Sequence, residues 1–221
     1  EGRKVGEIWG YRASGIIQTQ EEADEYNSKY NLSYLSGTAW TPGDVKYIDL
    51  NNDGKIDRGD NNLNNMGDMT IIGNTTPRYQ YTINGSISWK DLSLSVMFQG
   101  VGKRDWDPGT APYFWGSGAY AQVTVFNEHM DYWREDNKDA YYPKPYIHSA
   151  GGVGPFRNKI MQTSDRYLQS GAYCRLKNIT LSYNLPSAWV KKAGMQKVQV
   201  FFSGENLLTF TSLKGMFDPE A

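Results

Sequence analysis

Four stretches of the chain alternate apolar and polar residues with a period of two. In "YQYTINGSISW", Tyr79, Tyr81, Ile83, Ile87 and Trp89 fall on one face, and Gln80, Thr82, Asn84, Ser86 and Ser88 on the other. "LSLSVMFQGV" sets Leu92, Leu94, Val96 and Phe98 against Ser93, Ser95 and Gln99. "YCRLKNITLSYNL" groups Ile179, Leu181 and Tyr183 opposite Asn178, Thr180 and Ser182. Successive side chains of a strand point to opposite faces, so each stretch predicts a strand with one apolar and one polar face. "KVQVFFSGENLLTF" is a fourth strand with weaker alternation, which predicts a bulge near Gly204. "GEIWGYRASGIIQ" is a fifth candidate strand.

The connections between these stretches differ sharply in length. Only Lys90 and Asp91 separate Trp89 from Leu92, which predicts a tight hairpin. "PSAWVKKAGMQ" predicts a short helical turn opened by proline between the third and fourth strands. The remaining connections, 18–78 and 102–171, are long. Short and long connections thus fall at alternate ends of an antiparallel, up-and-down arrangement. Outer-membrane barrels are built this way, with short periplasmic turns and long extracellular loops. The expected fold is therefore mainly β, part of a large outer-membrane barrel whose long loops contain short helices. A soluble β-sandwich also alternates, but the small polar residues opposite the aromatic-tipped apolar faces fit a lumen better than a solvated surface. Within the loops, "TQEEADEYNSKYN" predicts an acidic, solvated helix. "VFNEHMDYWRED" predicts a second helix packed through Phe126, Met130 and Trp133.

Composition narrows the function. The 221 residues balance 23 Lys and Arg against 24 Asp and Glu, and no basic run forms a nucleic-acid surface. Aromatics reach 14%, with 16 Tyr and 7 Trp, a level that suits an aromatic girdle or a carbohydrate-facing surface. The single Cys174 excludes an internal disulfide and a Cys-based zinc cluster, and reads as a small side chain on a strand. His129 and His148 have no identifiable partner, no carboxylate pair has catalytic context, and the chain does not read as an enzyme. "SAGGVGP" opens no helix and reads as a loop. No apolar run is long enough for a transmembrane helix or a signal peptide. Both ends read as cut from something longer.

The most specific chemistry lies in "DLNNDGKIDRGD", residues 49–60. Its spacing follows the oxygen-ligand pattern of an EF-hand loop. Asp49, Asn51 and Asp53 take the first three ligand positions, Gly54 the sharp turn, Lys55 the backbone-carbonyl position and Asp60 the closing position. Ile56 is the hydrophobic anchor, and Asp57 is placed to act through water. Calcium takes six to eight hard oxygens, and one segment here supplies them. The alternative is an Asx-rich turn whose side chains cap their own backbone. Asp rather than Glu at the last position shortens the closing ligand. Arg58-Gly59-Asp60 and the sequons at Asn31, Asn74, Asn84 and Asn178 read as chance matches.

Several blocks in one order resemble the C-terminal barrel region of SusC/RagA-type TonB-linked outer-membrane transporters. They are "VGEIWGYRASGIIQTQEE", "PGDVKYIDLNNDGKIDRGD", "IIGNTTPRYQYTINGSISWKDLSLSVMFQGV", "SGAYCRLKNITLSYNLP" and "VQVFFSGENLLTFTSLKGMFDPE". The resemblance implies a plugged single-chain barrel energised through TonB. It implies a SusD-like surface lipoprotein as partner, oligosaccharide or peptide cargo, membrane lipid around the strands, and a Gram-negative outer membrane as location. The plug, the TonB box, the earlier strands and the final strand are expected outside this sequence. The calcium loop is expected on the extracellular side. The competing reading is a secreted, calcium-stabilised β-module that binds glycans through loop Trp and Tyr.

Overall fold

The computed structural model describes residues 2–109, 111–116, 124–146, 155–213 and 217–220, in two compact units. His148 and nearly all of "SAGGVGP" lie outside the described residues.

The first unit comprises Glu1–Thr75 and Trp106–Leu168. Its elements are β1 (Glu7–Tyr11), β2 (Ala13–Ile16), α1 (Gln20–Lys29), β3 (Val45–Tyr47), β4 (Met69–Asn74), α2 (Pro112–Trp115) and α3 (Pro155–Ile160). The fifth candidate strand is thus two short strands, and neither joins the main sheet. β1 pairs antiparallel with β4, and β2 with β3. Bulges between Ile8 and Trp9 and between Ala13 and Gly15 break the pattern, and Gly15 sits at φ +131°. On its other side, β1 meets backbone: Tyr11 N–H donates to Thr163 O at 2.9 Å, and Gly10 leaves no room there for a Cβ. Ile8, Tyr11 and Ile16 are buried, so this segment serves a local core.

That core is built from the stretches expected to be loops. Trp40, Tyr47, Phe114, Tyr167, Leu35 and Ile56 are all but fully buried. Polar ends of the large rings are satisfied: Trp40 Nε1 donates to Val45 O at 2.9 Å, and Tyr26 OH to Tyr47 O at 2.8 Å. Helix α1 is capped by Thr19, whose hydroxyl accepts from Glu22 N–H at 3.2 Å. It is less solvated than its acidity predicts, because Ala23 and Tyr26 face the core. "VFNEHMDYWRED" forms only a 3₁₀ turn over Asn127–Met130. Met130 is 59% exposed while Trp133 is buried, so the helical spacing there does not define a packed face.

The second unit comprises Thr76–Asp105 and Gln169–Ala221. It contains β5 (Arg78–Trp89), β6 (Leu92–Lys103), β9 (Tyr173–Asn184), α4 (Ser187–Lys192) and β10 (Gln199–Thr211). The two-residue strands β7 (Asp105–Trp106) and β8 (Gln169–Ser170) lie between β6 and β9 in sequence. The sheet order β10-β9-β6-β5 is an antiparallel up-and-down meander that does not close. Lys90, at φ +53°, turns the two-residue hairpin. α4 follows Pro186 as expected, and the bulge in β10 falls between Glu205 and Leu208, with Asn206 at φ +52°.

Candidate functional site

Register decides what each face of the four-stranded sheet presents. Ile83 pairs with Phe98, Ile87 with Leu94, and Leu94 in turn with Leu181, which pairs with Phe202. One face is therefore a continuous apolar surface. Ile83, Ile87 and Phe202 remain 60%, 67% and 70% exposed. A sandwich would bury this face. Opposite it, Ser86 pairs with Ser95 and Thr180 with Ser203, and hydroxyls meet across strands: Ser88 and Ser93 at 2.8 Å, Thr180 and Ser203 at 3.0 Å. Aromatic rows close the apolar face at both ends. Trp89 and Tyr183 flank Leu92, while Tyr81 and Phe210 flank Gly100 and Cys174. Gly100 has no Cβ because the Tyr81 ring lies across its position. From Tyr81 to Trp89 the strand rises about 27 Å, or about 21 Å along the normal at a tilt of about 40°, close to the height of a barrel's apolar band.

The Asp49–Asp60 loop has a defined geometry within the first unit. Asp49 Oδ2 accepts from Gly54 N–H at 2.9 Å, Asn51 Oδ1 from Asp53 N–H at 3.0 Å, and Asp53 Oδ1 from Lys55 N–H at 2.9 Å. Gly54 makes the turn at φ +77°. Ile56 is fully buried, as its anchoring role requires. Asn31 docks the loop beside the end of α1, donating to Gly54 O at 2.8 Å and accepting from Ile56 N–H at 3.1 Å. Asp60 is turned to Asn65, whose amide donates to it at 3.0 Å, and Asp57 accepts from Gly59 N–H at 2.6 Å. Among the described residues, no three His, Cys, Asp or Glu side chains converge to hold a metal. One polar atom stands out: Asp49 Oδ1 is buried with no hydrogen-bond partner.

Asp68 is a loop residue that the twelve-residue pattern does not contain. It is buried and accepts from Leu50 N–H at 2.7 Å and Asp57 N–H at 2.9 Å, so it ties both halves of the loop together. Burial pushes its carboxyl up, and the backbone donors hold it back. His129, the histidine without a sequence partner, is pinned in its own unit. Its Nδ1 accepts from Phe126 N–H at 3.0 Å, and its Nε2 lies 3.0 Å from Tyr113 O.

The chain is 32% identical over 222 residues to TonB-dependent receptor P3 of Formosa agariphila, a match that spans all of this chain. Over its whole length the chain is thus similar to one region of a TonB-dependent receptor. TonB-dependent receptor P26 of the same organism is 26% identical over 220 residues. The chain spans about a fifth of these relatives, 19% of each. No protein-family model matches it. The fold of this receptor region agrees with solved structures of the RagAB peptide transporter, at a TM-score of 0.58 and 23% identity over 98% of the chain and 20% of the neighbour. The open-open state of the RagAB peptide importer gives 0.57 at 20% identity over 97% of the chain and 20% of the neighbour. TonB-dependent receptors are outer-membrane proteins, a setting that agrees with the exposed apolar face of this sheet.

Proposed function

We propose that this receptor region forms part of the barrel wall and loops of a SusC-like nutrient importer, energised through TonB and taking up oligosaccharides or peptides with a SusD-like surface lipoprotein. The observation that carries the reading is the two-faced sheet, apolar toward lipid and lined with hydroxyls and amides toward a lumen. The RagAB neighbours, described as a peptide importer, support the peptide branch and a two-protein assembly. In this reading the long connections and the Asp49–Asp60 loop lie on the extracellular side. The test is uptake by cells lacking the full-length gene. They are expected to lose accumulation of labelled oligosaccharides or labelled peptides and to regain it with the intact gene. A tagged full-length protein is expected to bring a lipoprotein with it from solubilised outer membranes. Unchanged accumulation of both cargo classes would overturn the import reading.

The same reading gives the loop a role. Asp49, Asn51, Asp53, the Lys55 carbonyl and Asp60 would hold one calcium ion, with the unpartnered Asp49 oxygen as the strongest support. Bound there, calcium supplies a positive centre that offsets carboxylate repulsion. Asp60 would leave Asn65 to join it. Asp53→Ala is expected to weaken calcium binding at least tenfold in calorimetric titration, because one of a few charged ligands is lost. Calcium removal is expected to speed amide exchange over 44–68 and leave the exchange of β5, β6, β9 and β10 unchanged, since their ladders do not pass through the loop. Equal affinity in Asp53→Ala and the parent would make the loop a plain Asx turn.

A further inference from the structure

The polar face carries a second feature that the barrel architecture does not require. An open cavity of about 400 Å³ lies against it, at the end of the sheet away from the Lys90 hairpin. Register builds its floor: Thr82 pairs with Gln99, and Gln80 with Val101. Pro219 and Glu220 form one rim, and ion pairs hold this segment. Arg175 Nη2 donates to Asp218 Oδ1 at 2.7 Å and Nη1 to Glu220 Oε2 at 2.8 Å. Lys177 Nζ reaches the same Glu220 oxygen at 2.7 Å. Arg175 also donates from Nε to Thr209 Oγ1 at 2.8 Å, so all three of its nitrogens are engaged.

Arg104 differs. It lines the cavity, yet among the described residues its side chain bonds only from Nη1 to the Pro219 carbonyl at 3.3 Å, and its Nε is buried without a partner there. Among the described residues at this rim, three cations, Arg104, Arg175 and Lys177, thus face two carboxylates, Asp218 and Glu220. The surplus is one positive charge, located on a planar fork. A guanidinium in that state matches a planar monoanion in shape and charge, since the fork bonds a carboxylate through parallel donors. Gln80, Gln99 and Thr82 add neutral donors and acceptors beside it, suited to sugar hydroxyls or peptide amides.

We infer that the cavity bounded by Arg104, Lys177, Gln80, Gln99 and Thr82 is a subsite for a carboxylate-bearing cargo, with Arg104 as its anion-binding group. The inference rests on the import reading, in which this face lines the lumen, and it narrows the cargo to acidic molecules. The carboxylate belongs to a uronate oligosaccharide or to the C-terminus of a peptide.

The experiment is isothermal titration of the purified full-length protein in detergent with two matched probe pairs. One pair is trigalacturonate and maltotriose. The other is a tripeptide with a free C-terminus and its C-terminal amide. One acid is expected to bind about tenfold more tightly than its neutral counterpart, the difference a charge-assisted hydrogen bond makes. Preference within the sugar pair assigns the site to acidic glycans, and preference within the peptide pair to peptide C-termini. Arg104→Gln is expected to erase that preference, and Arg104→Lys to retain part of it. Gln99→Glu, which sets a carboxylate on the cavity floor and leaves the Arg104–Pro219 contact alone, is expected to erase it too. Heat-modifiable gel migration reports that each variant keeps its barrel. No acid preference in either pair, or a preference that survives both Arg104→Gln and Gln99→Glu, overturns the subsite. Binding is read without energised transport, so neutral cargo entering cells with no acid preference in titration overturns the subsite alone. Acid binding by a protein that restores no uptake overturns import alone.

Discussion

Arginine at Ile83 or Val96 is expected to destabilise the membrane-inserted receptor by about 2–4 kcal/mol, whereas arginine at Thr82 costs much less. Ile83 pairs with Phe98 and Val96 with Ile179, within the apolar rows between the two aromatic ends. Both positions therefore fall near the middle of the apolar band, where a guanidinium loses its hydration and no protein group replaces it. Thr82 pairs with Gln99 on the opposite face, where water and polar groups are available. The measurement is urea unfolding of the full-length protein refolded into lipid vesicles, followed by tryptophan fluorescence. Equal penalties at Ile83 and Thr82 would mean that the two faces are not lipid and lumen.

Asp44→Ala is expected to cost the first unit about 3–5 kcal/mol, because it strands a buried ammonium. Asp44 is 0% and Lys159 1% exposed in their side chains, and they pair at 3.2 Å. Around them Asp44 Oδ2 accepts from Thr41 N–H at 2.8 Å and Oδ1 from the Tyr146 hydroxyl, while Lys159 also donates to Ala39 O. The Trp40 ring lies 5.2 Å from Lys159 Nζ, which adds a cation–π contact. Burial lowers the Lys159 pKa below its ordinary 10.5, and Asp44 opposes that shift. Removing Asp44 leaves burial unopposed, so the folded variant releases the proton at a lower pH than the unfolded chain. Between those two values the unfolded state binds more protons, and stability rises with pH. The deficit of Asp44→Ala should then shrink as pH rises from 7 toward 10. Adding Lys159→Met should recover most of it, since a well-packed apolar pair replaces a buried ion pair at little cost. Amide exchange around Tyr47 and Ile160 in the full-length protein reads both effects. A deficit that stays constant with pH would show that Lys159 is not the stranded charge.

These two experiments divide along the line between what the chain spells locally and what it does not. The period-two alternation of 79–101 and 173–185 was enough to define three strands, their apolar faces and the Lys90–Asp91 hairpin, because side-chain direction along a strand depends only on the neighbouring residues. The Asp49–Asp60 spacing announced a turn at Gly54 and an anchor at Ile56 for the same reason. The weak alternation around Gly204 signalled a bulge, although its place at Asn206 came from pairing with β9. Other features depend on partners that no window of sequence contains. "GEIWGYRASGIIQ" is a candidate strand by sequence, yet Tyr11 bonds to Thr163 and β1 pairs with β4, so it joins another sheet. Asp44 and Lys159 stand far apart in sequence, and nothing near either one marks it as half of a buried pair. Along 18–78 and 102–171 the aromatics follow no single period, so the sequence spells connections there and no core. They are buried because two distant segments cover each other. Nothing in the sequence around Arg104 marks it, and only the fold sets it beside Pro219 at the rim of the cavity. Local spacing fixes where a side chain points along its own element. Burial and charge compensation between elements decide what it meets there, and those terms exist only once the chain has folded.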